Sequence, residues 1–60
     1  MDKEELRAKV LEKAFDLISE EVYELIGLDE GNNSYRDSVN FIQGVVSVTK
    51  DFIRILDEQQ

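Results

Sequence analysis

The sequence predicts an all-α protein, built from two amphipathic helices joined by a short connector into a hairpin. Two observations carry this prediction. Apolar residues recur with helical period along two long segments, and a run of turn-forming residues at 29–33 separates them. We expect the first helix at about residues 3–26, the connector at about 27–34 and the second helix at about 35–58, all in one domain of residues 1–60.

The first helix has clear predicted ends. With a step of about 100° per residue, its apolar side chains fall within an arc of about 200°. Asp2 has the position of an N-cap, with Glu5 three residues later as its capping-box partner. Gly27 follows Ile26 and is typical of a left-handed helix end, after which Leu28 supplies an apolar contact.

The apolar side chains of the second helix also fall within an arc of about 200°. Ser34 with Asp37 three residues later has the spacing of an N-cap with an acidic partner. The β-branched residues at 45–49, next to Gly44, permit a competing interpretation as a strand. A strand needs a partner, and nothing in residues 1–34 alternates with period two, so the sequence favours a helix.

The width of both apolar sides predicts a dimer. One neighbouring helix covers only about half of a 200° arc, and a 60-residue chain without cysteine has no disulfide to support it. We expect an antiparallel four-helix bundle formed by a homodimer, although the open face of a single hairpin can instead bind a different protein. The residues expected to form the core and the dimer contact are Leu11, Phe15, Ile18, Val22, Leu25, Ile42, Val45, Thr49, Phe52 and Leu56.

Charge and composition exclude several partners. The net charge is −7, and residues 1–30 carry ten acids against four bases, so we expect no direct binding to a phosphate backbone. No apolar run approaches the roughly 20 residues of a membrane span. The N-terminus lacks a secretory signal and cysteine is absent, which together predict a cytoplasmic protein.

An acidic stripe on the first helix is the candidate partner-binding surface. The stripe consists of Glu12, Asp16, Glu20 and Glu24 on the polar side of the helix, and Tyr23 beside it is a further candidate for partner contact. The stripe is expected either to dock a basic protein surface or to be a solvated face. Glu21 interrupts the apolar side, and three interpretations stay open: an edge position, a cross-interface pair with Lys50 or Arg54, or a functional carboxylate.

The residue types also argue against enzymatic catalysis. Histidine and cysteine are both absent, so the commonest general base, thiolate nucleophile and zinc ligands are missing, and no Gly-rich phosphate loop occurs. We therefore expect no enzyme activity, no metal and no cofactor. The expected function is a small acidic protein–protein interaction module acting as a homodimer: an adaptor, an inhibitor or an antitoxin-like regulator. Alternatives are an acidic mimic that blocks a DNA- or RNA-binding protein and a pure self-assembly module.

The predicted architecture is similar to that of small plasmid and phage regulators built as dimeric helical hairpins. One such regulator, the plasmid copy-number hairpin, binds RNA. RNA binding needs a face that bears bases, whereas the first helix here is acidic. The resemblance is therefore one of pattern alone, no motif matches, and RNA binding does not carry over to this chain.

Overall fold

The computed structural model describes residues 2–59 and shows two helices, α1 at Lys3–Leu25 and α2 at Asn33–Glu58. The two helices pack against each other as a hairpin with principal extents of 44, 16 and 9 Å. The prediction of two helices without a strand is confirmed for residues 2–59. Neither helix has a stretch of the length and apolarity needed to cross a bilayer within the part of the chain described.

The start of α1 follows its prediction. A side-chain oxygen of Asp2 accepts a hydrogen bond from the backbone N–H of Glu5 at 2.8 Å, which satisfies one of the free amide groups of the first turn. Glu4 and Glu5 place negative charge in that turn, where the helix dipole favours it.

The end of α1 comes at Leu25, one residue before its predicted end. Ile26 leaves the helix with φ −67° and ψ 101°, and Gly27 follows with φ +112°. The Leu28 N–H then donates to the Leu25 carbonyl at 3.1 Å, which closes a turn of type II geometry. Glycine is needed at the third position of such a turn because a side chain is disfavoured at positive φ. The positive φ predicted at Gly27 is therefore confirmed, but it lies in a turn that follows an extended Ile26 rather than in a left-handed cap on the helix, and the apolar contact of Leu28 stays a prediction.

The start of α2 differs from the prediction. The N-cap is Asn32 rather than Ser34, and the helix begins two residues earlier than expected, at Asn33. The Asn32 side chain accepts from the Ser34 N–H at 2.8 Å, while its carbonyl accepts from the Arg36 N–H at 3.2 Å. Asparagine caps at least as well as serine, and a preceding turn, closed by the Asn32 N–H on the Asp29 carbonyl at 2.9 Å, brings it into position.

The second helix is continuous through its β-branched segment, so the competing strand interpretation is wrong. The Thr49 hydroxyl donates to the Val45 carbonyl one helical turn earlier, at 2.6 Å. This local bond satisfies a polar group beside the helix contact, which makes threonine compatible with the helix there. The helix continues to Glu58, and the Gln59 N–H caps it by donating to the Leu56 carbonyl at 3.3 Å.

Candidate protein-interaction surface

The contact between the two helices buries little apolar side chain. Among the described residues, Ala14 and Leu56 are the buried apolar residues, at 9% and 6% exposure, and Ser38, nearer the connector, is the buried polar residue. The other residues at the contact are half-buried. A domain of ordinary size buries several large side chains completely, whereas here no described side chain reaches that state. Most of the apolar side-chain surface is therefore still exposed to solvent in the single hairpin.

The exposed apolar side chains divide between the two broad sides of the hairpin. With Ala14 directed at α2, a step of 100° per residue sends Val10 and Leu17 to one side and Leu11 and Phe15 to the other. On α2, the same step of 100° per residue directs the side chains on either side of Val45 to opposite broad sides of the hairpin. The hairpin is consequently apolar on both broad sides.

We name the first side the Phe41 face. Its exposed large side chains all belong to α2, and they are Phe41, Val48, Phe52 and Ile55. An open groove of about 570 Å³ runs along it between the helices. Lys13 is the one charged residue among those lining the groove, and Gly44 lies in its wall on α2.

We name the opposite side the Phe15 face. Its exposed large side chains are Leu11, Phe15 and Val22 from α1 and Val46 from α2. A second groove, of about 480 Å³, opens here and is bordered by charged residues, among them Lys50 and Arg54. Thr49 lines both grooves, which is consistent with their opening on either side of the helix contact.

The predicted core residues reach very different degrees of burial in the single hairpin. Leu56 is buried, and Ile18, Leu25, Ile42, Val45 and Thr49 are half-buried. The remaining four are exposed, with Phe15 at 71%, and they are Leu11, Phe15, Val22 and Phe52. Their place in a dimer contact stays a prediction, and because Phe52 lies on the Phe41 face and the other three on the Phe15 face, a contact through one face covers either Phe52 or the other three.

Every residue of the predicted acidic stripe is exposed to solvent. Glu12, Asp16, Glu20, Tyr23 and Glu24 are all exposed, Tyr23 at 78%. Glu12, Asp16 and Tyr23 lie on the side of α1 turned away from α2, whereas Glu20 and Glu24 lie toward the flank of the Phe41 face. Within residues 2–59, no group of three or more acidic side chains is arranged so that it could hold a metal ion.

Glu21 is half-buried and lies near the contact between the helices. Arg54, one of the partners considered for it, instead has Asp51 at 3.8 Å and Glu58 at 3.7 Å on its own helix. Both of these distances are long and both pairs are exposed. Within a single hairpin, the arrangement therefore leaves Arg54 turned to its own helix rather than to Glu21.

Two features of the surface were not predicted from the sequence. One is the ion pair between Arg7 and Asp57, which joins the helices at the end of the hairpin opposite the connector. The other is the position of Gly44 in the wall of the groove. A Cβ built on Gly44 would meet nothing within 4 Å, so packing inside the hairpin gives no reason for glycine at this position.

Comparison with known proteins gives no relative for this chain. No protein-family model matches it, and no curated protein or solved structure matches it either. The geometry of the two apolar faces is therefore the basis for the function proposed below.

Proposed function

We propose that the chain is a small, acidic, non-catalytic protein–protein interaction module that acts as a homodimer. The observation that carries this proposal is the exposure of large apolar side chains on both broad sides of the hairpin. Each square ångström of apolar surface left in water forfeits about 25 cal/mol. A 60-residue chain has a net stability of only a few kcal/mol, so association that covers such surface has a large effect on it.

A two-fold dimer would bury one of the two apolar faces of each hairpin. In such a dimer the same surface of each copy meets its own equivalent, which gives an antiparallel four-helix bundle from two hairpins. The opposite face of each hairpin then stays open, and the dimer displays it twice. An apolar face rimmed by charge, repeated twice on a small rigid body, is suited to binding a second protein.

The acidic stripe supports a second candidate, in which the module occupies a basic protein surface as a mimic of nucleic acid. The observation that supports it is that the four acids of the stripe and the neighbouring Tyr23 are all exposed. Binding of this kind is sensitive to salt, whereas binding through an apolar face persists in it. A titration of any captured partner with salt separates the two.

The test of the homodimer is the mass in solution by light scattering across a dilution series, with helicity measured by circular dichroism on the same samples. We expect a mass of about 14 kDa, twice the 7.0 kDa of the chain, with helix lost on dilution. A helical species of 7.0 kDa at every concentration contradicts the homodimer. A mass that keeps rising with concentration indicates pure self-assembly instead.

The open second face has its own test, with the dye anilinonaphthalene sulfonate as a probe of exposed apolar surface. We expect the dimer to bind the dye and Phe15→Glu to reduce that binding without lowering the mass. The matched control is Tyr23→Glu on the polar side of the same helix. A dimer that binds no dye would mean that no apolar face remains available to a partner.

A further inference from the structure

We propose that the homodimer forms through the Phe41 face, with its two-fold axis at Val48 and with Phe52 of each copy seated on Gly44 of the other. This proposal rests on the proposed function, since it assumes that a homodimer exists. It adds which face pairs, in which direction and in which register. The occupant of the groove is thus a second copy of this chain.

The spacing of side chains on α2 gives the register. Phe41, Val48 and Ile55 are separated by seven residues each and form one stripe along the helix, with Val48 at its centre. If two copies of α2 run antiparallel with Val48 opposite Val48, Phe41 lies level with Ile55 of the second copy. Each Phe41 is then level with an aliphatic side chain, and the two Val48 side chains meet at the centre.

The same register gives a reason for glycine at position 44. Gly44 precedes Val48 by four residues and Phe52 follows it by four, so Phe52 of one copy lies level with Gly44 of the other. Glycine is among the poorest helix formers, and nothing inside the hairpin requires it, because a Cβ there would stand in open space. An aromatic ring from a second copy needs that space. Gly44 therefore acts as the hole that receives Phe52.

The charges of α1 fit the same antiparallel arrangement. The Arg7–Asp57 pair and the shared groove of Ala14 and Thr49 place Val48 level with about residue 15 of α1. On the flank of the Phe41 face, the bases Lys9 and Lys13 precede that level, and the acids Glu20 and Glu24 follow it. Antiparallel pairing about residue 15 brings each pair of bases within about one turn of the acids of the second copy.

The size of the face is also sufficient. The broad side of the hairpin measures 44 by 16 Å, which is roughly 700 Å². Standard stable interfaces bury about 600–1,000 Å² on each partner, so the face is large enough if most of it is covered. The apolar lining of the groove, with Lys13 as its one charge, resembles the core of an interface more than the charge-bordered groove of the Phe15 face does.

The first experiment uses single cysteines, which the chain permits because it has none of its own. We expect Val48→Cys to form a disulfide-linked dimer under mild oxidation, since the axis brings the two residues opposite each other. Phe15→Cys on the opposite face is the matched control and is expected to stay unlinked. Light scattering under reducing conditions confirms that each variant still forms the dimer.

The second experiment fills the space at Gly44 with a larger side chain. Gly44→Leu is expected to weaken dimerisation about tenfold or more because it over-packs the contact, while leaving the monomer at least as helical. Gln43→Leu, on the adjacent residue that points away from the groove, is the control and is expected to leave the dissociation constant unchanged.

The outcomes separate this inference from the proposed function. If the chain is dimeric but only Phe15→Cys links, or if Gly44→Leu leaves dimerisation unchanged, the Phe41-face arrangement is wrong while the homodimer stands. If the unmodified chain is monomeric at every concentration, both proposals fail.

Discussion

Arg7 in α1 forms an ion pair with Asp57 in α2, across a separation of 50 residues in the sequence. The pair joins the beginning of one helix to the end of the other, so it holds the end of the hairpin that has no connector. Both side chains are about half exposed, at 43% and 51%, which limits the strength of the interaction. The Nε atom of Arg7 is buried without a hydrogen-bond partner, which reduces the gain further.

The Arg7–Asp57 pair is expected to contribute a modest, salt-sensitive coupling. A double-mutant cycle with Arg7→Ala and Asp57→Ala, followed by urea unfolding, should give about 0.5–1 kcal/mol, decreasing in high salt. The comparison cycle uses Arg54 and Asp51, which lie three residues apart on one helix at 3.8 Å and are expected to give about 0.3 kcal/mol. A coupling near zero between Arg7 and Asp57 would mean that the pair does not join the helices.

The N-cap of α2 is expected to depend on Asn32 and not on Ser34. Asn32→Ala removes the acceptor of the Ser34 N–H and should lower the free energy of unfolding by about 1 kcal/mol. Ser34→Ala keeps that acceptor and should change stability by less than about 0.5 kcal/mol. Thermal or urea unfolding of the two variants measures the difference, and a larger loss for Ser34→Ala would restore Ser34 as the cap.

The turn after α1 is expected to tolerate no side chain at Gly27. Gly27→Ala places a Cβ at φ +112° and should cost about 1 kcal/mol or more, although the space around it is free. Gly31 is the control, because its φ is not positive and the space around it is also free, so Gly31→Ala should leave stability unchanged or raise it slightly. Urea midpoints that fall equally for both variants would contradict the conformational explanation.

Burial predicts which apolar side chain matters for the hairpin itself. Leu56 is 6% exposed, and Leu56→Ala should cost about 2–3 kcal/mol through lost contacts and the cavity left behind. Phe15 is 71% exposed, and Phe15→Ala should change the unfolding free energy by less than about 0.5 kcal/mol despite the larger truncation. Circular dichroism melts at matched concentration compare the two, and a greater loss for Phe15→Ala would place Phe15 in a core.

The helices and their ends were largely predictable because they depend on local chemistry. The apolar period, the Asp2 cap and the glycine at position 27 each act within a few residues, and all three agree with the structure. The start of α2 was missed because Asn32 and Ser34 are both good caps. The choice between them depends on the turn at 29–32, whose geometry the residue types do not specify.

The division of the apolar surface into two faces was not predicted, because it depends on how the helices roll against each other. An arc of about 200° gives the amount of apolar surface but not the part of it that the neighbouring helix covers. Small residues give the missing signal in retrospect: Ala14 and Ser38 are buried at the contact, where larger side chains would hold the helices apart. The acidic stripe is exposed as its polar pattern predicted, and its role in binding stays a prediction.

The ion pair at the open end of the hairpin has a topological consequence. Because Arg7 meets Asp57, polypeptide attached before Lys3 or after Glu58 leaves from one pole of the rod, and the turn at Asp29–Asn32 stands at the other pole. A fluorophore, an affinity handle or a fused domain added at either terminus is therefore remote from that turn. The natural place to cut the chain for a circular permutation is the turn itself, with a short peptide bridging the two termini.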